Sequence, residues 1–200
     1  MRLIIATHNR HKSREFGDIL GSEFEVTDLS DFVSIKLPPE TGLTFEENAA
    51  IKAQQVSEQI DDLVLADDSG LEVDALNGAP GVFSARYAGE PADGRRNIDK
   101  LLRELRKADP ERRNRSARFR CVVALARRGE LLKTFSGTVE GVIVDSPRGS
   151  AGFGYDPIFV PEGFDATFAE LPPETKHRFS HRGRATGAAM PFLRAALQTL

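Results

Sequence analysis

The 200-residue chain has no tryptophan, one cysteine, two methionines and two tyrosines. The lone Cys121 excludes an internal disulfide and any metal site built on several thiolates. No apolar run approaches the roughly 18 residues of a membrane-spanning helix. Residues 1–6 lead straight into a polar motif rather than a cleavable leader, so a cytoplasmic protein with no membrane partner is expected. An excess of one charge is also lacking. Lys and Arg total 27 against 30 Asp and Glu, a net charge of −3, which argues against a protein that coats nucleic acid. What is present suits a globular domain: 40% hydrophobic and 28% charged residues. No repeat, low-complexity tract or linker interrupts the chain, so residues 1–200 read as one α/β domain.

The elements follow from periodicity and punctuation. Arg2–Ala6 fits a buried strand, and Lys12–Leu20 a helix with Phe16, Ile19 and Leu20 on one side and Gly21 after its last turn. Phe24–Leu29 reads as a second strand. Thr44-Phe-Glu-Glu47 is a capping box that opens a helix to about Ile60, with Phe45, Ala49, Ala53, Val56 and Ile60 inward. Leu63–Ala66 is a compact strand that should stop at Asp67-Asp68-Ser69-Gly70. Arg95–Lys107 is a surface helix. Arg118–Arg127 and Leu131–Val144 flank Gly129-Glu130, a two-residue hairpin turn. A last helix follows His181, bent or split near Pro191.

Four segments offer chemistry. Thr7-His8-Asn9-Arg10-His11-Lys12 joins the first strand to the first helix, at the strand end where α/β sheets bind ligands. Its helix amides favour anions, and Lys12 adds a point charge suited to phosphate. A polar turn that merely caps the helix is the plainer reading of this segment alone. Asp67 and Asp68 end a buried strand, and alternation should turn them to opposite faces, one toward a site and one toward the turn. Oxygen ligands without a cysteine cluster point to magnesium. In Gly149–Asp156 three glycines permit close backbone approach, Phe153 and Tyr155 offer faces to a planar base, and Asp156 can accept from a sugar or base. Lys176 with Ser180-His181-Arg182-Gly183 places cations at a helix start, where the dipole disfavours them unless an anion or a carbonyl oxygen is bound. The Arg112–Arg120 run has no aromatic residue interleaved on its Arg face, so a solvated strand face accounts for it.

These segments occur together and in order, with Thr41-Gly-Leu-Thr-Phe-Glu-Glu-Asn-Ala49, Gly78-Ala-Pro-Gly81 and Ser84-Ala-Arg-Tyr87 between them. The set resembles the inosine triphosphate pyrophosphatase family from Leu3 to about Ala185. The resemblance implies an elongated central mixed β-sheet flanked by helices, two lobes with a nucleotide cleft between them, and a homodimer. It implies hydrolysis of dITP, ITP and XTP to the monophosphate and pyrophosphate with Mg2+. Residue by residue, Thr7, His8, Asn9, Arg10, His11 and Lys12 match its phosphate loop, and Lys52 a second phosphate lysine. Asp68 matches the catalytic base and metal ligand, Glu40 a second metal ligand, and Ser69 a substrate contact. Phe153, Gly154, Tyr155 and Asp156 match the base and sugar loop, and Lys176, His181 and Arg182 the base-recognition group. Three positions depart from the family pattern: His8 replaces a usual glycine, Glu40 stands where two acids are common, and His177 replaces an asparagine. Two rivals are a Maf-like nucleotide pyrophosphatase, against which Ser180-His-Arg-Gly183 argues, and a nucleotide- or RNA-binding module without turnover.

Overall fold

A computed structural model describes residues 2–32 and 34–199, with side chains to Ala196. In chain order the elements are β1 (Arg2–Ile5), α1 (Arg10–Leu20), β2 (Glu25–Asp28), α2 (Phe45–Ser57), β3 (Leu63–Val73), α3 (Gly94–Ala108), β4 (Ser116–Arg127), β5 (Glu130–Ile143), β6 (Phe159–Pro161), α4 (Pro173–Phe179) and α5 (His181–Thr199). They build a six-stranded sheet in the order β2-β1-β3-β4-β5-β6, flanked by helices. The sheet is mixed: β1 runs parallel to β2 and β3, whereas β5 and β6 are antiparallel. This is the expected α/β class.

The chain divides into two compact units. The first comprises Met1–Asp68, Cys121–Gly137 and His181–Leu200, the second Ser69–Arg120 and Thr138–Ser180. In the first, Leu3, Ile5, Phe16, Leu65, Val123 and Leu193 belong to a buried core, so β1, α1, β3, β4 and α5 are held by apolar packing around the charged groups described below. In the second, Leu71, Leu101, Leu105, Phe119, Phe159 and Phe168 form a separate core.

Local chemistry moves several boundaries from where the sequence put them. Helix α1 starts at Arg10 rather than Lys12, because Asn9 caps it. The hairpin turn is Arg128-Gly129, with φ of 52° and 80°, and Glu130 already belongs to β5. Two successive positive φ values match the twist of a two-residue turn, which Gly129 adopts without strain. Strand β3 does not stop at Ala66 but continues through Asp67–Gly70 to Val73. Carboxylates do not end a strand when each finds a cation. Helix α5 is neither split nor ended by Pro191. The proline is exposed, and the carbonyl it leaves without a helical donor belongs to Gly187, which is exposed as well.

Candidate active site

The turn after β1 is built to start a helix. Thr7 is buried and accepts the Asn9 N–H at 3.1 Å. The Asn9 side chain accepts from the amides of His11 and Lys12 at 2.9 and 3.4 Å. His8, Asn9, Arg10 and His11 are exposed, and Lys12 is half-buried. The Lys12 ammonium lies 3.0 Å from Asp67.

Alternation along β3 sends the two aspartates to different partners, as the sequence implies, although Asp67 holds no turn. Asp67 is buried between Lys12 and the guanidinium of Arg182, the latter at 3.1 Å. Arg182 stands in the first turn of α5, is 1% exposed, and also pairs with Glu15 of α1. Two carboxylates thus meet two cations. Burial would push the Asp67 carboxyl up, but Lys12, Arg182 and Lys52 outweigh it and hold the group well below the usual carboxylate range. Cys121 Sγ lies 4.0 Å from Asp67, and burial together with that carboxylate pushes the thiol up to about 12.

Asp68 is buried on the other side and faces the Lys52 ammonium at 3.7 Å. Lys52 in turn lies 2.6 Å from Glu40. Two carboxylates thus face the same ammonium. Burial raises the Asp68 carboxyl above its ordinary value and Glu40 adds to it, against the pull of Lys52. Burial also works against the Lys52 charge, but the carboxylates of Asp68, Asp67 and Glu40 prevail and raise its pKa.

The loop carrying Glu40 is tied to α2. Gly42 N–H donates to Asn48 Oδ1 at 2.8 Å. A Cβ at Gly42 would stand 2.6 Å from Glu47 Cβ and 2.8 Å from Asn48 Oδ1, so only glycine allows this approach. Thr44 caps α2 by accepting the Glu47 N–H at 3.1 Å. The Glu47 carboxylate reaches back to the Leu43 N–H at 2.7 Å, one residue beyond the reciprocal bond of a standard capping box.

In the second unit, Ser69 is half-buried. Asp156 accepts the Phe153 N–H at 2.8 Å and the Lys176 ammonium at 2.7 Å, which locks the 153–156 turn. Lys176 also lies 5.3 Å from the centre of the Phe153 ring. Tyr155 departs from expectation. It is 4% exposed within the apolar core of the second unit, and its hydroxyl donates to Ser84 O at 2.9 Å. It therefore presents no face to a base, because burying the ring is worth more than exposing it. Phe153 is half-buried and Gly154 is exposed.

The sequence-derived residues thus fall into three groups: Lys12, Asp67 and Arg182; Glu40, Lys52 and Asp68; Phe153, Asp156 and Lys176. His181 is buried at the start of α5. Two side chains that complete these groups were missed. Glu15 was legible as an acid three residues after Lys12, a spacing that shares a helix face. Asn48 stands four residues before Lys52, for the same reason.

The Ham1 family model matches residues 3–192. A dITP/XTP pyrophosphatase of Halalkalibacterium halodurans is 51% identical over 183 residues, covering 91% of this chain and 93% of that protein. The dITP/XTP pyrophosphatase of Bacillus subtilis is 48% identical over 96% of both chains. Among solved structures, a HAM1 protein from Coxiella burnetii is similar with a TM-score of 0.87 and 42% identity, covering 98% of this chain and 99% of that one.

Proposed function

The chain belongs to the Ham1 family, and on that premise we propose that it hydrolyses the non-canonical purine triphosphates dITP, ITP and XTP to monophosphate and pyrophosphate. The observation that carries this is the paired geometry on β3. Lys12 and Lys52, the two lysines suited to phosphate, converge on adjacent buried aspartates, one with its proton affinity lowered and one with it raised.

The donor chemistry also bears on magnesium. Asp68 and Glu40 are hard oxygen donors that both face the Lys52 ammonium, and carboxylate oxygens of this kind suit a divalent cation entering with a triphosphate. Among the described residues no group of three or more His, Cys, Asp or Glu forms a ready-made cage. That suits Mg2+, which takes one or two carboxylates and fills its remaining positions with water and phosphate oxygens. When bound, the ion supplies neutralisation of the phosphate charge.

The protein's own groups do the rest. Asp68, raised by burial, orients and deprotonates the water aimed at the α-phosphorus. Lys12 and Lys52 hold phosphate oxygens, and the exposed turn 8–11 offers further polar contacts. For the base, Phe153 takes the stacking role, and Lys176 and His181 each take a recognition role. Arg182 donates to Glu15 and Asp67, which fixes the plane of its guanidinium, and its assigned role is to donate to an oxygen at purine position 6. Adenine presents an amine there, and a site built on such bonds rejects the mismatch by on the order of 10⁴. A cytoplasmic homodimer completes the reading. Among the described residues no helix is long and apolar enough to cross a membrane.

Pyrophosphate release is the test, measured with Mg2+ over a panel of purine and pyrimidine triphosphates. Selective turnover of dITP, ITP and XTP supports the proposal. Preference for pyrimidine nucleotides points to the Maf-like alternative, and binding without turnover to a sensor. Sedimentation of the same sample reads the oligomeric state.

A further inference from the structure

Asn48 lies on the same face of α2 as Lys52 and is 1% exposed. Its Oδ1 is fixed by the Gly42 N–H at 2.8 Å, two residues after Glu40. Fixing Oδ1 also fixes where the amide nitrogen points. That nitrogen, Nδ2, is buried and has no closed hydrogen bond. A buried amide donor left open is costly, so its retention needs a reason. The neighbouring groups supply one. The Asp68 carboxylate lies within reach of the Asn48 side chain.

We propose that Asn48 is a positioning residue of the hydrolytic site: its Oδ1 anchors the Glu40 loop to α2, and its Nδ2 closes onto the Asp68 carboxylate during turnover. The inference rests on the pyrophosphatase reading and adds to it the link between its two acids. Lys52 also bridges Glu40 and Asp68, but through a long side chain with many rotamers. With the Asn48 link, a short planar amide sets the spacing between the loop and the strand. The crowding at Gly42 agrees with this, since the loop is pressed onto Asn48 with no room for a methyl group.

The two halves of the amide are separable by substitution. Asn48→Asp keeps an acceptor for Gly42 and removes the donor, whereas Asn48→Ala removes both. Each variant is assayed for dITP turnover with Mg2+, and for binding of the uncleavable α,β-methylene analogue of ITP by calorimetry. Exchange of the Gly42 amide hydrogen is followed in parallel. Both variants should lose kcat by about 10- to 150-fold, the range for one lost bond to a charged group. Asn48→Asp should keep its affinity for the analogue within about threefold and its Gly42 protection, while Asn48→Ala loses that protection. Wild-type kcat in Asn48→Asp would overturn the donor role. Unchanged Gly42 exchange in Asn48→Ala would overturn the anchor. If Asn48→Ala does not fold, Asn48→Asp still decides the donor role and Asn48→Ser, with a shorter acceptor, the anchor. Failure of the wild-type protein to release pyrophosphate from any purine triphosphate would instead sink the underlying reading, and the Gly42 exchange would still report the anchor.

Discussion

Asp67 and Asp68 are neighbours in sequence, buried to nearly the same degree, and chemically opposite. On the Asp67 side, two carboxylates are matched by Lys12 and Arg182, and the group is electrically closed. On the Asp68 side, Asp68 and Glu40 both face Lys52, and each carboxylate works against the other. The carboxyl pKa falls on the first side and rises on the second. Burial alone therefore does not mark a catalytic acid. The partners do: a carboxylate held down by buried cations keeps shape, and one raised by burial and a neighbouring acid is suited to take up a proton.

The sharpest way to break this contrast is to neutralise each aspartate in turn. Asp68→Asn should lower turnover by roughly 10³-fold or more, within reach of a lost general base and electrostatic contact. Its thermal midpoint near neutral pH should hold or rise. An acid whose folded pKa is raised is destabilising above its unfolded pKa, and the amide removes that penalty. Asp67→Asn should do the reverse. A depressed carboxyl stabilises above its unfolded pKa, and that stability fades as pH falls toward the folded value. Without the charge, Arg182 and Lys12 lose a buried partner, at about 3–5 kcal/mol. Denaturation and steady-state assays on both variants check the pair. The contrast collapses if Asp67→Asn abolishes turnover while leaving stability intact.

Next in size comes Arg182→Ala, which tests whether the closed side also reads the base. Stability should fall, because Glu15 and Asp67 are left as buried carboxylates with less compensation. If the guanidinium also donates to the purine oxygen, ITP turnover should drop about 10- to 150-fold beyond any loss against ATP. Equal losses for the two nucleotides would confine Arg182 to holding Asp67. Arg182→Lys should not restore the ratio, since an ammonium lacks the planar fork. Smaller still is the effect of Lys12→Ala and Lys52→Ala on inosine, which carries no phosphate. Calorimetry should show inosine binding within about twofold of wild type, while triphosphate use falls far more.

How much of this was legible beforehand depends on the range of the interaction. Periodicity and capping found β1, β2, α1, α2, α3 and the hairpin to within a few residues, because those signals are local. The three residues of β6 and seven of α4 are too short to show a period, and neither was expected. Strand β3 was cut short at Ala66 for a related reason. Its continuation depends on Lys12, Lys52 and Arg182, at 55, 16 and 115 positions' remove, and no one window along the chain contains all three. Tyr155 was misplaced because an aromatic beside glycines looks the same in sequence whether it faces a ligand or a core.

The smallest expected effect comes from Cys121, which borders the closed side. Its thiol is fully buried, 4.0 Å from Asp67, and pushed up to about 12, so at neutral pH it stays protonated. A thiol is a weak donor, and Lys12 and Arg182 already hold the carboxylate. Cys121→Ala should thus remove a little buried apolar volume and nothing electrostatic. The loss should be about 1 kcal/mol in denaturant unfolding, with kcat on dITP unchanged. Thiol reagents should label the native protein only as fast as it opens, and the unfolded protein at once. A large fall in turnover for Cys121→Ala would mean that Asp67 depends on the thiol. The closed side would then be short of a partner after all, and charge matching would no longer separate the two aspartates.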